Sequence, residues 1–276
     1  MEESYIIWQN KSSKEFNLIC ENVIVSQPEQ KIKILNTQNR DNNYNYTALN
    51  AKNRAFFENR IITVSAFYTF DTIKERSEKL SKIIEWLYSY NYNADNILEV
   101  IPDFKNVYWH NVKIENIQTF ETVSMHTANI IFQFRADAFS TDKAPQVVQS
   151  GNTDFTNGKY KFVYNNIGFY NDNIQITAEG GCNYLTITNL DNNIIFDIKS
   201  GFTQSCVIDF KNKKIIVDGV ENTAYDFNFY ELLPLLNNFV LQSDNTLNIK
   251  ISSVNRYLFS FPENSKNTLT VSLLNN

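Results

Sequence analysis

From residue 159 to its end, the chain is a train of short apolar stretches broken by turn residues, and nothing between them has helical spacing. KYKFVYN, NIQITAE, NYLTITNL, NIIFDI, CVIDF, KIIVDG, AYDFNFYEL, LNIKISSV and YLFSF are of strand length. GG at 180–181, DNN at 191–193, SG at 200–201 and KNKK at 211–214 punctuate them. A strand points successive side chains to opposite faces, so each stretch buries one face and must stack sheet on sheet. The pattern predicts an antiparallel β-sandwich. A parallel α/β sheet would need crossover helices between the strands, and none is readable.

The first half is also strand-rich but holds one helix. YIIW opens an extended run to about Val25, and a polar arm, PEQKIKILNTQNRDNNYNYTAL, follows. In RIITVSAFYTF, residues 60–70, Ile62, Val64, Ala66 and Tyr68 share one face by alternation. DTIKERSEKLSKIIEWLYSY then predicts a helix over about 72–90, with Leu80, Ile83, Ile84 and Leu87 on one apolar stripe. Thr72 and Glu75 have capping-box spacing, and Glu75–Lys79 and Glu78–Lys82 are i,i+4 pairs. NILEVI, VYWHNVKIENIQTF and MHTANIIFQFRADAF predict further strands. STDKAPQVVQSGNTD, residues 140–154, has few bulky apolar residues and contains Pro and Gly, so the boundary is placed there. The expectation is a mainly β chain of the α+β class. Residues 1–140 form a split-sheet or barrel-like domain with one helix, 141–152 a linker, and 153–276 the sandwich.

The 276 residues suffice for two cores, and 43% hydrophobic with 20% charged residues describe a globular chain. Twenty-one Phe and 15 Tyr against 7 Gly and 5 Pro favour sheets. The net charge of −5 weighs against a nucleic-acid partner, because phosphate binding needs a concentrated basic surface. No segment has the apolar length of a membrane span, and MEESYIIWQN lacks a signal peptide's basic start, so folding in a cytoplasm is expected. Cys20, Cys182 and Cys206 are odd in number and lack CxxC spacing, which predicts buried thiols and neither disulfides nor zinc. The abundance of Asn follows AT-rich codon usage.

CVIDFKNKKIIVDG holds the one suggestive carboxylate pair. Pairing Asp209 with Ile216 puts Cys206, Ile208, Phe210, Ile215 and Val217 on an apolar face, with Asp209 and Asp218 together on the other. As diagonal neighbours their Cβ atoms would lie about 7–8 Å apart. That is near the roughly 6.5–9.5 Å of an inverting glycosidase. A general acid, however, needs burial or a charged neighbour to raise its pKa, and this face points away from the core. The preferred reading is two solvated, ionised carboxylates. His110 and His126 are isolated, and no HExxH, GxSxG, P-loop or GxGxxG occurs. DNNYN at 41–45 starts like a calcium loop but lacks its Gly and distal Glu. A lectin site would stack an aromatic ring on a sugar, yet Trp8, Trp86, Trp109 and both histidines lie in the first half, and Arg256 is the second domain's single Arg. A Tyr- or Asn-based sugar site remains an alternative. No catalytic residue, metal ligand or cofactor site is assigned.

The order of these segments resembles the distal tail proteins of long, non-contractile-tailed phages of Gram-positive bacteria. WQNKSSKEFNL matches that family's N-x-K-S-x-x-F-G-L motif through Asn10, Lys11, Ser12, Phe16 and Leu18. Pro28 and NRDN, with Arg40 and Asp41, stand where the family has a Pro-containing strand and a G-R-D-G loop. FFENRIITVSAFY, the helix ending IIEWLYSY, VYWHNVKIE and FQFRADAF follow in the family's order. The hairpin resembles its strand–Asp, turn, strand–Gly signature through Asp209, Asp218 and Gly219. Asn17, Asn39 and Asn42 replace family glycines, and Asn is the non-Gly residue that best tolerates left-handed backbone.

The resemblance implies a structural protein, not an enzyme. Its first domain would form a homo-oligomeric, six-fold ring around a DNA channel, and its second, galectin-like sandwich would point outward. The implied partners are further copies of the chain, the tail tube protein, the tail-associated tip protein and a receptor-binding protein. DNA would pass through without specific binding, and no membrane is involved. The implied place is the virion tail, assembled in the host bacterial cytoplasm. The polar arm 28–50 would reach a neighbouring copy, or be a plain surface loop. A carbohydrate-binding tail or cell-surface module is the alternative function, and a glycoside hydrolase using Asp209 and Asp218 the third.

Overall fold

A computed structural model describes residues 4–31, 34–35, 44–45, 56–89, 94–156, 158–222, 236–258 and 266–274. The chain is mainly β and divides into two compact units, Met1–Thr141 and Asp142–Asn276. Most of the polar arm 28–50, including Arg40, Asp41 and the start of DNNYN, lies outside the described residues, as does AYDFNFYEL.

The first unit contains β1 (Tyr5–Trp8), β2 (Lys11–Ser12), β3 (Ile19–Val25), β4 (Ile34–Leu35), β5 (Tyr44–Asn45), β6 (Arg60–Thr69), α1 (Ile73–Leu87), β7 (Leu98–Ile101), β8 (Val107–Trp109), β9 (Lys113–Ser124) and β10 (Thr127–Ala136). One antiparallel sheet runs β2–β1–β7–β8 and a second β3–β6–β10–β9, while β4 and β5 pair with each other. The alternation expected in 60–70 is present: Ile62, Val64, Ala66 and Tyr68 are buried, opposite Phe134, Phe132, Ile130 and Ala128 of β10. The helix buries Ile83, Trp86 and Leu87 against this core. Trp86 therefore takes the inward place expected of Ile84, which is half-buried. Thr72 Oγ1 accepts the Glu75 N–H at 3.2 Å, but the Glu75 carboxylate reaches the Asp71 N–H at 2.7 Å and does not close a box on Thr72. Glu75 pairs with Lys79 at 2.8 Å, whereas Glu78 turns to Lys74 at 3.9 Å and not to Lys82.

β11 (Ser140–Asp142) spans the division between the units. The second unit follows with β12 (Gln146–Asp154), β13 (Tyr160–Asn165), β14 (Tyr170–Glu179), β15 (Leu185–Asn189), β16 (Ile194–Ile198), β17 (Ser205–Asp209), β18 (Lys214–Val217), β19 (Val220–Glu221), β20 (Leu236–Ser243), β21 (Thr246–Tyr257) and β22 (Thr268–Leu273). One sheet runs β19–β18–β17–β14–β21–β12 and the other β16–β15–β20–β13–β22. Both contribute inward residues to one core, among them Phe162, Phe196 and Phe239 from one sheet and Ile176, Ile208 and Ile249 from the other. Burying each such side chain contributes about 1.5–3 kcal/mol.

Two expectations are corrected. The stretch read as a linker, 141–152, is largely β12, which pairs with β21 from Gln146↔Ser253 to Asp154↔Thr246. Its Gly-containing irregularity at 150–151, with Gly151 at φ 69°, is a register shift within the strand. The central strand β20 was also not foreseen, because two of its inward positions, Asn237 and Ser243, are polar and blur the alternation with Phe239 and Leu241.

Candidate functional site

The family-like segment 8–18 folds into a clasp on the end of the helix. Gln9 (φ 52°) and Asn10 (φ 59°) form the two-residue turn between Trp8 and Lys11, which pair across the hairpin. Both left-handed positions are those of a type I′ turn, whose twist matches the strands it joins. Ser12 Oγ accepts the Lys14 N–H at 3.3 Å and the Glu15 carboxylate accepts the Ser12 N–H at 2.8 Å, so the 3-10 turn Ser13–Phe16 starts with a capping box. Asn17 ends that turn at φ 51°, ψ 35°, the left-handed conformation for which Asn substitutes for Gly. Phe16 then stacks on Trp86, centroids 4.5 Å apart, and Leu18 enters the core. Two indole bonds tie β1 to the helix end: Trp8 Nε1 donates to the Leu87 carbonyl at 3.2 Å and Trp86 Nε1 to the Trp8 carbonyl at 3.1 Å. Lys11 and Asn10 remain exposed at the surface.

The structure separates the two aspartates of the hairpin. The expected parity of faces holds, with Cys206, Ile208, Phe210 and Ile215 buried, but the register is shifted by two: Asp209 faces Lys214 and Cys206 faces Val217. Asp218 lies past the ladder, its N–H donating to the Ser205 carbonyl at 2.8 Å. It is thus four residues further along the strands than Asp209, about 13 Å at roughly 3.3 Å per residue, and not a diagonal neighbour.

Asp209 is not the solvated group that was expected, whereas Asp218 stays half-exposed but is held by backbone donors. Asp209 is 6% exposed and holds the turn that follows it, accepting the Asn212 N–H at 3.0 Å, Asn212 Nδ2 at 2.8 Å and Gln175 Nε2 at 3.2 Å. Burial alone would raise its pKa, but these donors outweigh it and hold the carboxyl below its usual range. Asp218 (φ 48°) and Gly219 (φ 82°) make a second type I′ turn, between Val217 and Val220. The Asp218 side chain accepts the N–H groups of Thr203, Gln204 and Ser205 and the Thr203 hydroxyl, at 2.7–3.0 Å. The backbone donors push its pKa far down. Two separated, donor-saturated, ionised carboxylates are structural pins, and neither can act as a general acid. The Asp-Gly dipeptide after IIV is a hairpin signal that could have revealed the turn at 218–219.

Asp142, Tyr164, Ser253, Asn255 and Asn267 form a buried polar network missed in the sequence. Asp142, 5% exposed, accepts the Asn255 N–H at 3.1 Å, the Tyr257 hydroxyl at 3.0 Å and Gln146 Nε2 at 3.2 Å. Asn267 Nδ2 bonds the Tyr164 hydroxyl at 2.7 Å, and that hydroxyl meets Ser253 Oγ at 2.7 Å. Burial raises the Asp142 carboxyl above its usual range and pushes the Tyr164 phenol up to about 12. The polar side of the inward alternation, Ser253 and Asn255 in β21, was the available signal.

Cys20 and Cys206 are buried and free, Cys182 is half-buried and free, and burial pushes the Cys206 thiol up to about 12. His110 contacts the Asp95 carboxylate and His126 the Phe70 carbonyl. Among the described residues no group of three His, Cys, Asp or Glu side chains could hold a metal ion, and no helix is long and apolar enough to cross a membrane. Trp8, Trp86 and Trp109 are all core residues, so none offers an exposed sugar platform.

No protein-family model matches the chain, and no curated protein sequence matches it. Solved structures do. The Dit protein of phage SPP1, described as a paradigm of the hub adsorption apparatus in phages infecting Gram-positive bacteria, is similar with a TM-score of 0.61 at 10% identity, over 92% of this chain and 99% of that one. A chain of the phage P2 baseplate in its activated conformation with Ca matches with a TM-score of 0.40 at 8% identity, over 94% of this chain and 100% of that one. Both units of this chain, in their order along the sequence, thus share the fold of SPP1 Dit.

Proposed function

We propose that this chain is a non-enzymatic phage tail-tip protein, an assembly hub at the distal end of a long tail. The observation that carries the proposal is the fold shared with SPP1 Dit over 92% of this chain and 99% of that one. The ordered motifs of the first unit, Asn10 to Leu18 above all, support it independently of shape. In this reading residues 1–140 form a closed, head-to-tail, six-fold ring around the DNA channel, and the sandwich faces outward. The ring joins the tail tube protein to the tail-associated tip protein and a receptor-binding protein, in a virion tail assembled in the bacterial cytoplasm. An acidic chain suits a conduit that must not hold DNA. The pinned state of Asp209 and Asp218 counts against the glycosidase alternative.

Light scattering behind size exclusion, with electron microscopy of the same fractions, tests the proposal. A species of six times the 32.1 kDa chain mass, seen as rings with a central hole, is expected alone or with the tail tube protein added. A monomer at every concentration, with and without that partner, would overturn it.

A further inference from the structure

One end of the five-stranded sheet of the second unit carries a hollow of about 370 Å³. It lies where Lys159 leads into β13, Tyr184 leads into β15, and Gln242, Ser243 and Asp244 end β20. Phe155, 1% exposed and packed on Tyr160 with centroids 5.2 Å apart, closes it from the core side, and the half-buried Tyr184 is the aromatic residue within reach of a ligand.

The walls are fixed by side-chain hydrogen bonds between loops. Asp244 accepts the Asn183 N–H at 3.0 Å and Asn183 Nδ2 at 2.7 Å. Ser243 Oγ donates to the Tyr184 carbonyl at 2.8 Å, and Asn245 Nδ2 donates to the Gly181 carbonyl at 2.9 Å. On the other side Asp154 ties down the Thr156 N–H at 2.9 Å and its hydroxyl at 2.6 Å. On the Asn183–Asp244 side a ligand therefore meets groups already held in place and spends little on ordering them.

The groups at the rim are, by contrast, unspent. The Tyr184 hydroxyl, the Gln242 amide and the Lys159 ammonium make no hydrogen bond or ion pair to any described residue. The Asp244 carboxylate has room for more donors than its two from Asn183. A rim with one carboxylate and one ammonium favours neither an anion nor a cation. Its donors and acceptors stand beside the Tyr184 side chain. The complementary ligand is uncharged, has one apolar face, and carries hydroxyls that donate and accept. That is a pyranose ring, and the volume falls within the roughly 300–1,000 Å³ of small-molecule sites.

We propose that this hollow binds a neutral hexopyranose unit, with Tyr184 against its apolar face and Gln242, Lys159 and Asp244 on its hydroxyls. The proposal does not depend on the hub role, since it concerns a surface of the second unit whatever the chain assembles into.

Saturation-transfer NMR on the full chain tests it. The probes are glucose, galactose and N-acetylglucosamine, with maltotriose, lactose and chitotriose to tell a free sugar from a unit of a chain, and glycerol phosphate as the anionic comparison. Transfer to at least one neutral sugar is expected, with affinity lowered about fivefold or more by Gln242→Ala, the loss of one or two hydrogen bonds. Gln242 faces outward without a partner, so that variant keeps the parent melting temperature. Tyr184→Phe separates loss of the hydroxyl from any loss of folding in Tyr184→Ala. No transfer to any neutral sugar at millimolar concentration, undiminished transfer in both the Gln242→Ala and Tyr184→Ala variants, or displacement of the sugar by glycerol phosphate would each overturn it.

Discussion

Gly201 and Gly219 offer a paired test of what a left-handed residue costs in this sandwich. Both have positive φ, 62° and 82°. A Cβ on Gly219 would meet nothing within 4 Å, so Gly219→Ala should cost only the backbone term, about 1–2 kcal/mol. A Cβ on Gly201 would stand 2.2 Å from the Cys182 carbonyl oxygen and 2.7 Å from Asn183 backbone atoms. Ordinary contact would require the Cys182 backbone to retreat by close to an ångström. That carbonyl accepts the Phe202 N–H at 2.9 Å, and the Cys182 N–H donates to the Phe202 carbonyl at 2.8 Å, so the retreat breaks both bonds. At about 1 kcal/mol per bond plus about 1–2 kcal/mol for the left-handed backbone, Gly201→Ala should lose about 3–4 kcal/mol. Urea unfolding of the full chain followed by far-ultraviolet circular dichroism measures both, with unchanged slopes showing that the unfolded state is not the cause. Equal losses from the two variants, or a larger one at Gly219, would refute the reasoning that space and not handedness sets the difference.

Phe16→Ala should remove the stack on Trp86 and cost about 2 kcal/mol, less than a fully buried Phe, with the tryptophan emission shifted to the red. Asp142 has a folded-state pKa above its unfolded value, so its contribution is present at low pH and is lost as pH rises from about 4 through the raised value. Asp142→Asn should therefore flatten the melting temperature across that window, and an unchanged pH profile would count against the buried carboxylate. Asp209 has the opposite sign: its pKa is depressed, so stability is present above the ordinary carboxylate value and is lost as pH falls through the depressed one. Asp209→Ala should cost about 1–2 kcal/mol at neutral pH by freeing the 210–213 turn, read by thermal melting.

Period-two alternation made most strands readable wherever the inward residues were apolar, as in Ile62, Val64, Ala66 and Tyr68. It failed where inward residues were polar. β20 hides behind Asn237 and Ser243, and β12, with Ser150 and Gly151 at its bulge, looks like a linker. Ser243 is tolerated inside because a partner far along the chain satisfies it, its Oγ donating to the Tyr184 carbonyl. The helix was legible to within a few residues, but not that Trp86 turns inward, since that follows from the Phe16 stack and the bond to the Trp8 carbonyl 78 positions away.

The hairpin shows the same division. Local chemistry alone determined that 206–218 would pair antiparallel and which side chains would share a face, because side chains alternate whatever the register. Local chemistry also placed Asn at 10 and 17, where the backbone is left-handed. A register shift of two residues preserves every face, so nothing in the local pattern could distinguish it. Only the tertiary structure decided it, by giving Asp218 three backbone donors from residues 203–205 and Asp209 its partners Asn212 and Gln175. The bonds of Asp218 to the 203–205 backbone and of Asp209 to Gln175 are a property of the packed fold, and they turned an apparent acid pair into two anchors of a sandwich.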